Sequence, residues 1–276
     1  MDFNNKLVLI TGASSGIGAA TAKEFAKHNA RVLLLARRIE ELRKVAEEIQ
    51  REGGYAKYYP VNIADYRSVE KTANKIKKEV GIPDIIFNNG GSGIWKYIDE
   101  ETSEDISKLM TLYFGAFFVT RVFLPDILKR NTGHIVNMSS HVPVLPFPGA
   151  NGYIVAHAAM RGFTDALRSD LYNTDINVTL LSCAKFRSTF WANNPGSEER
   201  YPKVALILGV PPVEVVARII VKSTYKKKKV VTIPSLLKLA DLINFICPPL
   251  MRWLLYHTGF TRKDLIVKNQ KKPITP

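Results

Sequence analysis

Seven short apolar runs recur along the chain, and longer amphipathic stretches separate nearly all of them. The runs are KLVLITG (6–12), ARVLLLA (30–36), YAKYYPV (55–61), DIIFNN (84–89), GHIVNMS (133–139), INVTLLS (176–182) and KVVTIP (229–234). Each is short, aliphatic or β-branched, and predicts a strand. The stretches near 16–29, 39–53, 66–80, 103–130, 151–172 and 212–224 carry apolar residues at helical spacing. Parallel strands need long crossover connections, and crossover helices cover both faces of the sheet. The pattern therefore predicts an α/β chain with a doubly wound parallel sheet. We expect one domain over residues 1–234, followed by a basic, apolar extension over 235–276. A chain of 276 residues with 46% hydrophobic content can bury a core of that size.

The turn after the first strand is Thr11-Gly12-Ala13-Ser14-Ser15-Gly16-Ile17-Gly18. Glycine lets a backbone turn sharply and approach a ligand closely. A helix that starts there offers free N–H groups and the positive end of its dipole to a pyrophosphate. Gly12, Ser14, Ser15, Gly16, Ile17 and Gly18 are thus candidate phosphate-cradling residues.

TGASSGIG resembles the cofactor motif TGxxxGxG of the short-chain dehydrogenase/reductase family. Asn88-Asn89-Gly90-Gly91 is similar to that family's NNAG, with Gly90 at the alanine's place or Gly91 extra. GHIVNMSS, the FPG before Tyr153 and the RGFTDALRSDL after it look like the same family. The resemblance spans about residues 5–235 and implies a Rossmann-type sheet with substrate loops at the carboxyl ends of the strands. It also implies a nicotinamide dinucleotide. The second strand ends Leu34-Leu35-Ala36-Arg37-Arg38, without the acid that holds a ribose 2′-OH. Arg37, with Ser14 beside it, suits a 2′-phosphate, so NADP(H) is expected. The alternative is that Arg37 and Arg38 merely open a solvated helix. Asn62, Asn89 and Gly90 complete the expected cofactor contacts, with Asn62 where the family has an aspartate against the adenine.

By the same resemblance, Ser140 holds a substrate oxygen and Tyr153 is the proton donor. A tyrosine titrates near 10 and needs help to cycle at neutral pH. The family's help is a lysine four residues later, where this chain has His157. Imidazole is mostly neutral at pH 7, so it activates a tyrosine weakly and could instead relay a proton. Anchoring on Gly115-Ala116-Phe117 puts Leu112 where the family has a relay asparagine, and Cys183-Ala184 replaces its Pro-Gly. Two functions stay open. One is an NADP(H)-dependent oxidoreductase acting on a carbonyl or alcohol of an apolar, lipid-, steroid- or retinoid-like molecule. The other is a weakly active or inactive dinucleotide-binding pseudoenzyme serving as sensor, partner or scaffold. Lys185 could supply the missing charge or be a solvated loop lysine. His141 could face the substrate or be a buried loop residue. The loop 142–152 should border the site, and 185–211 should form a substrate lid.

The net charge is +14, of which +10 falls between Lys222 and the end. That distribution argues against a basic groove on the main domain, and no nucleic acid is expected. In 235–257, Leu236, Leu239, Ile243 and Ile246 follow helical spacing with Lys238, Asp241 and Asn244 between them; Pro248 and Pro249 break the run before LMRWLLY. With Lys226–Lys229 upstream and KNQKKP downstream, this suits peripheral contact with an anionic membrane, or a helix folded onto the core or a partner subunit. No eighteen-residue uninterrupted apolar run exists, so a simple span is not expected. The start does not resemble a signal peptide. Cys183 and Cys247 show no metal or disulfide spacing, which fits a reducing, cytoplasmic setting. The helix over 103–130 is apolar nearly all round, and the resemblance implies a homodimer or homotetramer.

Overall fold

A computed structural model describes residues 1–188, 190, 194 and 196–264. All seven predicted strands form: β1 (Leu7–Thr11), β2 (Arg31–Ala36), β3 (Tyr55–Pro60), β4 (Ile85–Asn88), β5 (Gly133–Ser140), β6 (Ile176–Cys183) and β7 (Val230–Ile233). They make one sheet in the order β3-β2-β1-β4-β5-β6-β7, every neighbouring pair parallel. The order reverses between β1 and β4, which opens a crevice beyond their carboxyl ends.

The helices are α1 (Gly16–Lys27), α2 (Ile39–Arg51), α3 (Tyr66–Glu79), α4 (Ser103–Lys129), α5 (Asn151–Asp170), α6 (Val213–Tyr225), α7 (Leu237–Ile246) and α8 (Pro248–Thr258). Residues on alternate faces of the strands feed two core layers. Val8, Ile10, Val32 and Leu34 pack with α1, α2 and α6, while Leu9, Leu33, Ile86 and Ile135 pack with α3, α4 and α5. The near-continuous apolar strands are explained by this burial on both sides.

A third apolar cluster sits at the carboxyl end of the sheet. It joins Trp95, Leu112, Leu145, Phe147 and Tyr153 to Leu237, Met251 and Leu255 of the extension. Two expectations are corrected here. On α7 the inward residues are Leu237, Ala240 and Ile243, whereas Leu236, Leu239 and Ile246 face solvent. Helical spacing finds an apolar stripe but not which stripe a neighbour covers, and α7 has apolar residues on both sides. Lys226–Lys229 precede β7, while α7 and α8 follow it, so the strand places the lysine run and the extension at opposite ends of the sheet. KNQKKP lies outside the described residues. Among the described helices, α4 is long and apolar enough to cross a membrane by length and composition alone. Its stripe Leu109, Leu112, Ala116, Val119 and Phe123 is buried in the fold.

Candidate functional site

At the nucleotide end, β1 passes into α1 through Gly12, whose φ is 66°. A β-carbon at Gly12 would lie 2.9 Å from the Gly90 Cα, and one at Gly18 would lie 2.2 Å from the Gly12 carbonyl oxygen. Only glycine lets the turn pack on both the helix and the 88–91 loop. Thr11 Oγ1 accepts the backbone N–H groups of Asn89 and Gly90, each at 2.9 Å, and Asn89 Nδ2 donates to the Thr11 carbonyl at 3.1 Å. Those bonds fix the loop against the crevice.

Ser15 holds the N-cap position of α1 without a side-chain bond to the helix, and the first turn has no acid. Its N–H groups remain available to an anion. The Ser15 hydroxyl instead accepts from Arg38 Nη2 at 2.8 Å, and Ser14 accepts from the same nitrogen at 3.1 Å. Arg38, rather than Arg37, is the arginine that meets Ser14. Arg38 sits at the N-cap of α2 with extended backbone, so its side chain reaches across to α1. Both arginines border the crevice with Ala36 and Asn62. Asn62 Oδ1 accepts the Ala64 N–H at 3.2 Å, closing a local turn at the end of β3.

Beyond β5 and at the start of α5, Ser140, Tyr153 and His157 converge. The Ser140 hydroxyl donates to the Cys183 carbonyl at 3.3 Å and sits near enough to the Tyr153 hydroxyl to act on it, and the ring centroids of Tyr153 and His157 lie 4.2 Å apart, as four-residue helical spacing allows. The Ser140 backbone N–H donates to His157 Nδ1 at 2.9 Å, and the Ser139 hydroxyl lies 3.3 Å from the same nitrogen. Nδ1 therefore keeps its lone pair, and the neutral ring carries its proton on Nε2. Burial pushes the His157 pKa down to about 3. His157 is a neutral hydrogen-bond donor rather than a fractional cation. Burial likewise pushes the Tyr153 hydroxyl above its ordinary value, against a smaller lowering by Ser140.

Leu112 is buried beside this group, in contact distance of Gly91, and brings no polar atom. Cys183 and Ala184 border the same space; burial raises the Cys183 thiol to about 12. Lys185 Nζ lies 2.6 Å from Glu198 Oε1 and over the Tyr201 ring, so its charge is matched by a carboxylate. His141 is buried, its Nδ1 2.8 Å from Ser182 Oγ and its Nε2 2.6 Å from Asp241 Oδ1 on α7. That contact ties the extension to the residue next to Ser140.

A cavity of about 770 Å³ runs from the α1 turn past Ser140, Tyr153 and His157 into an apolar chamber. Trp95 organises the chamber, with ring centroids 5.1 Å from Phe147, 5.5 Å from Tyr153 and 5.7 Å from Tyr201. Leu145 and Phe147 come from the 142–152 loop, Tyr201 and Leu208 from 185–211, and Met251 and Leu255 from α8. Sequence reasoning places Arg38 and Asp241 only on solvated faces and does not single out Trp95 or Tyr201; tertiary placement alone brings the four to this cavity and its wall. The crevice fits a dinucleotide: glycine close approach, a helix start with open N–H groups, and paired arginines at its far edge.

The short chain dehydrogenase family pattern matches residues 6–199. The chain is 30% identical over 258 residues to the Drosophila melanogaster "Dehydrogenase/reductase SDR family protein 7-like", covering 91% of this chain and 79% of the relative. A short-chain dehydrogenase from Sphingobium yanoikuyae in complex with NADPH superposes with a TM-score of 0.75 at 24% identity, over 89% of this chain and 95% of that one. A short chain dehydrogenase/reductase from Burkholderia phymatum in complex with NAD gives 0.78 at 20% identity, over 100% and 99%. The chain belongs to the short-chain dehydrogenase/reductase family.

Proposed function

We propose that the protein is an NADP(H)-dependent oxidoreductase that interconverts a carbonyl and an alcohol on an apolar, lipid-, steroid- or retinoid-like molecule, and that it works as a reductase. The carrying observation is the single cavity that joins the α1 turn to the Ser140–Tyr153 pair and then to an apolar chamber. Arg38 on Ser14, Arg37 on the same crevice wall and no acid at the end of β2 suit a 2′-phosphate better than a free 2′-OH. The dinucleotide supplies hydride to the carbonyl carbon. Ser140 and Tyr153 hold the carbonyl oxygen, and Tyr153 donates its proton as negative charge develops there. With no cation among the causes that shift it, the buried Tyr153 stays protonated, as the donor in reduction must be, while the same burial makes it a weaker acid. His157 holds the Ser140 backbone through Nδ1 and offers Nε2–H to a ribose hydroxyl.

The protein would act as a homodimer or homotetramer through the exposed Phe114 and Phe117 on the outer face of α4. It would take no nucleic acid. Its cytoplasmic setting is supported by two unpaired cysteines, and peripheral membrane contact by the apolar extension.

A second reading, binding without turnover, is favoured by Leu112 at the relay position and by the neutral His157. NADPH oxidation against apolar aldehydes and ketones, beside NADPH titration, separates the two. Turnover supports the reductase; tight NADPH binding with none across chain lengths and ring systems supports the second reading.

A further inference from the structure

The outer surface of the extension has the wrong polarity for water. On α7 the polar Asp241 turns inward to His141, while Leu239, Leu242, Phe245 and Ile246 face out, with Phe245 84% exposed. A water-facing helix shows the reverse arrangement. On α8, Met251 and Leu255 turn inward, and Trp253 and Tyr256 face out. Those aromatic types favour a membrane–water boundary. Exposed Lys203, Lys238 and Arg252 stand on the same elements, which suits anionic headgroups.

The same helices cover the chamber with their inner faces, through Ala240, Ile243, Met251 and Leu255. Ile207, in the 3₁₀ turn Lys203–Leu208 that packs on α8, lines the cavity and is 79% exposed. It marks a rim where the chamber meets this surface.

We propose that the outer faces of α7, α8 and the 203–208 turn dock on an anionic bilayer, and that the chamber takes its substrate directly from the lipid through the rim at Ile207. This rests on the reading of the chamber as the site of an apolar substrate. A second protein copy seated on the same face would seal the rim. Fluid lipid leaves it open and is where an apolar substrate dissolves.

Co-sedimentation of the full chain with phosphatidylcholine/phosphatidylserine vesicles tests the docking. The Leu242→Glu/Phe245→Glu/Ile246→Glu variant replaces side chains outside the chamber, and NADPH titration and circular dichroism confirm its fold. We expect its vesicle affinity to fall about tenfold or more. Undiminished binding overturns the proposal. So does a wild-type dimer lost in the variant with no vesicle affinity in either, which assigns the face to a second copy. For the rim, the Trp191→Phe/Trp253→Phe variant leaves Trp95, in the chamber, as the remaining tryptophan. Vesicles doped with doxyl-stearate should quench Trp95 fluorescence, and the triple-glutamate background should remove the quenching. Vesicle binding without quenching overturns entry from the lipid. Neither measurement uses turnover, so absent NADPH oxidation counts against the reductase reading alone.

Discussion

The two ends of the cavity are built by different means. The nucleotide end is largely local: one glycine turn, the helix it starts and the end of the adjacent strand lie within residues 11–38, and Asn62 and the 88–91 loop join them from the next two strands. The proton-handling end is assembled from β5, α5, β6, the 185–211 segment and the extension, more than a hundred residues apart. The first end has the whole glycine motif, with Asn62 and the Gly90-Gly91 pair as its departures from the resemblance. The second has the serine and the tyrosine at the spacing the family resemblance implies, and on our reading places the neutral His157 and the apolar Leu112 where that resemblance implies a charged and a polar residue. A backbone cradle tolerates little change, because a single β-carbon at Gly12 or Gly18 collides with the backbone. An assembled side-chain site can drift one residue at a time without loss of fold.

If that division holds, damage at one end should leave the other intact. Tyr153→Phe should lower kcat by about 10²–10⁴-fold and leave the NADPH dissociation constant nearly unchanged; steady-state kinetics beside a binding titration reads both. A wild-type rate in the mutant would remove Tyr153 from the chemistry. At the opposite end, Arg37→Ala/Arg38→Ala should weaken NADPH by about ten- to a hundredfold while NADH changes little. Equal losses for the two nucleotides would sink the 2′-phosphate assignment.

Smaller effects test the assembled end. Asp241→Ala leaves the buried His141 N–H without its acceptor and should cost about 1 kcal/mol in urea unfolding, with NADPH affinity retained; Asp241→Asn, which keeps an acceptor oxygen, should recover most of it. The neutral His157 sets the last expectation. In the unfolded chain it takes a proton near 6.5, but in the folded chain only near 3. The unfolded state therefore binds more protons between these values, so stability is full above pH 6.5 and declines as pH falls toward 3. Over pH 6–9 the reduction rate should show no inflection from this ring. An inflection near pH 6.5 that vanishes in His157→Gln would show the imidazole titrating in the working site.

The sequence by itself determined the sheet and the nucleotide cradle. Periods of two and near four, a glycine turn between strand and helix, and the spacing of Ser140, Tyr153 and His157 are local facts, so they are legible without a structure. What only the tertiary structure decided was set by neighbours remote in the chain. Whether His157 is charged depends on burial and on the Ser140 N–H, seventeen residues away. Whether Ser14 meets Arg37 or Arg38 depends on how β2 enters α2. Which side of α7 faces water depends on Asp241 finding His141, a hundred residues earlier. Spacing specifies which side chains share a face; only packing specifies what that face meets, and it is the meeting that fixes charge, proton position and access to the chamber.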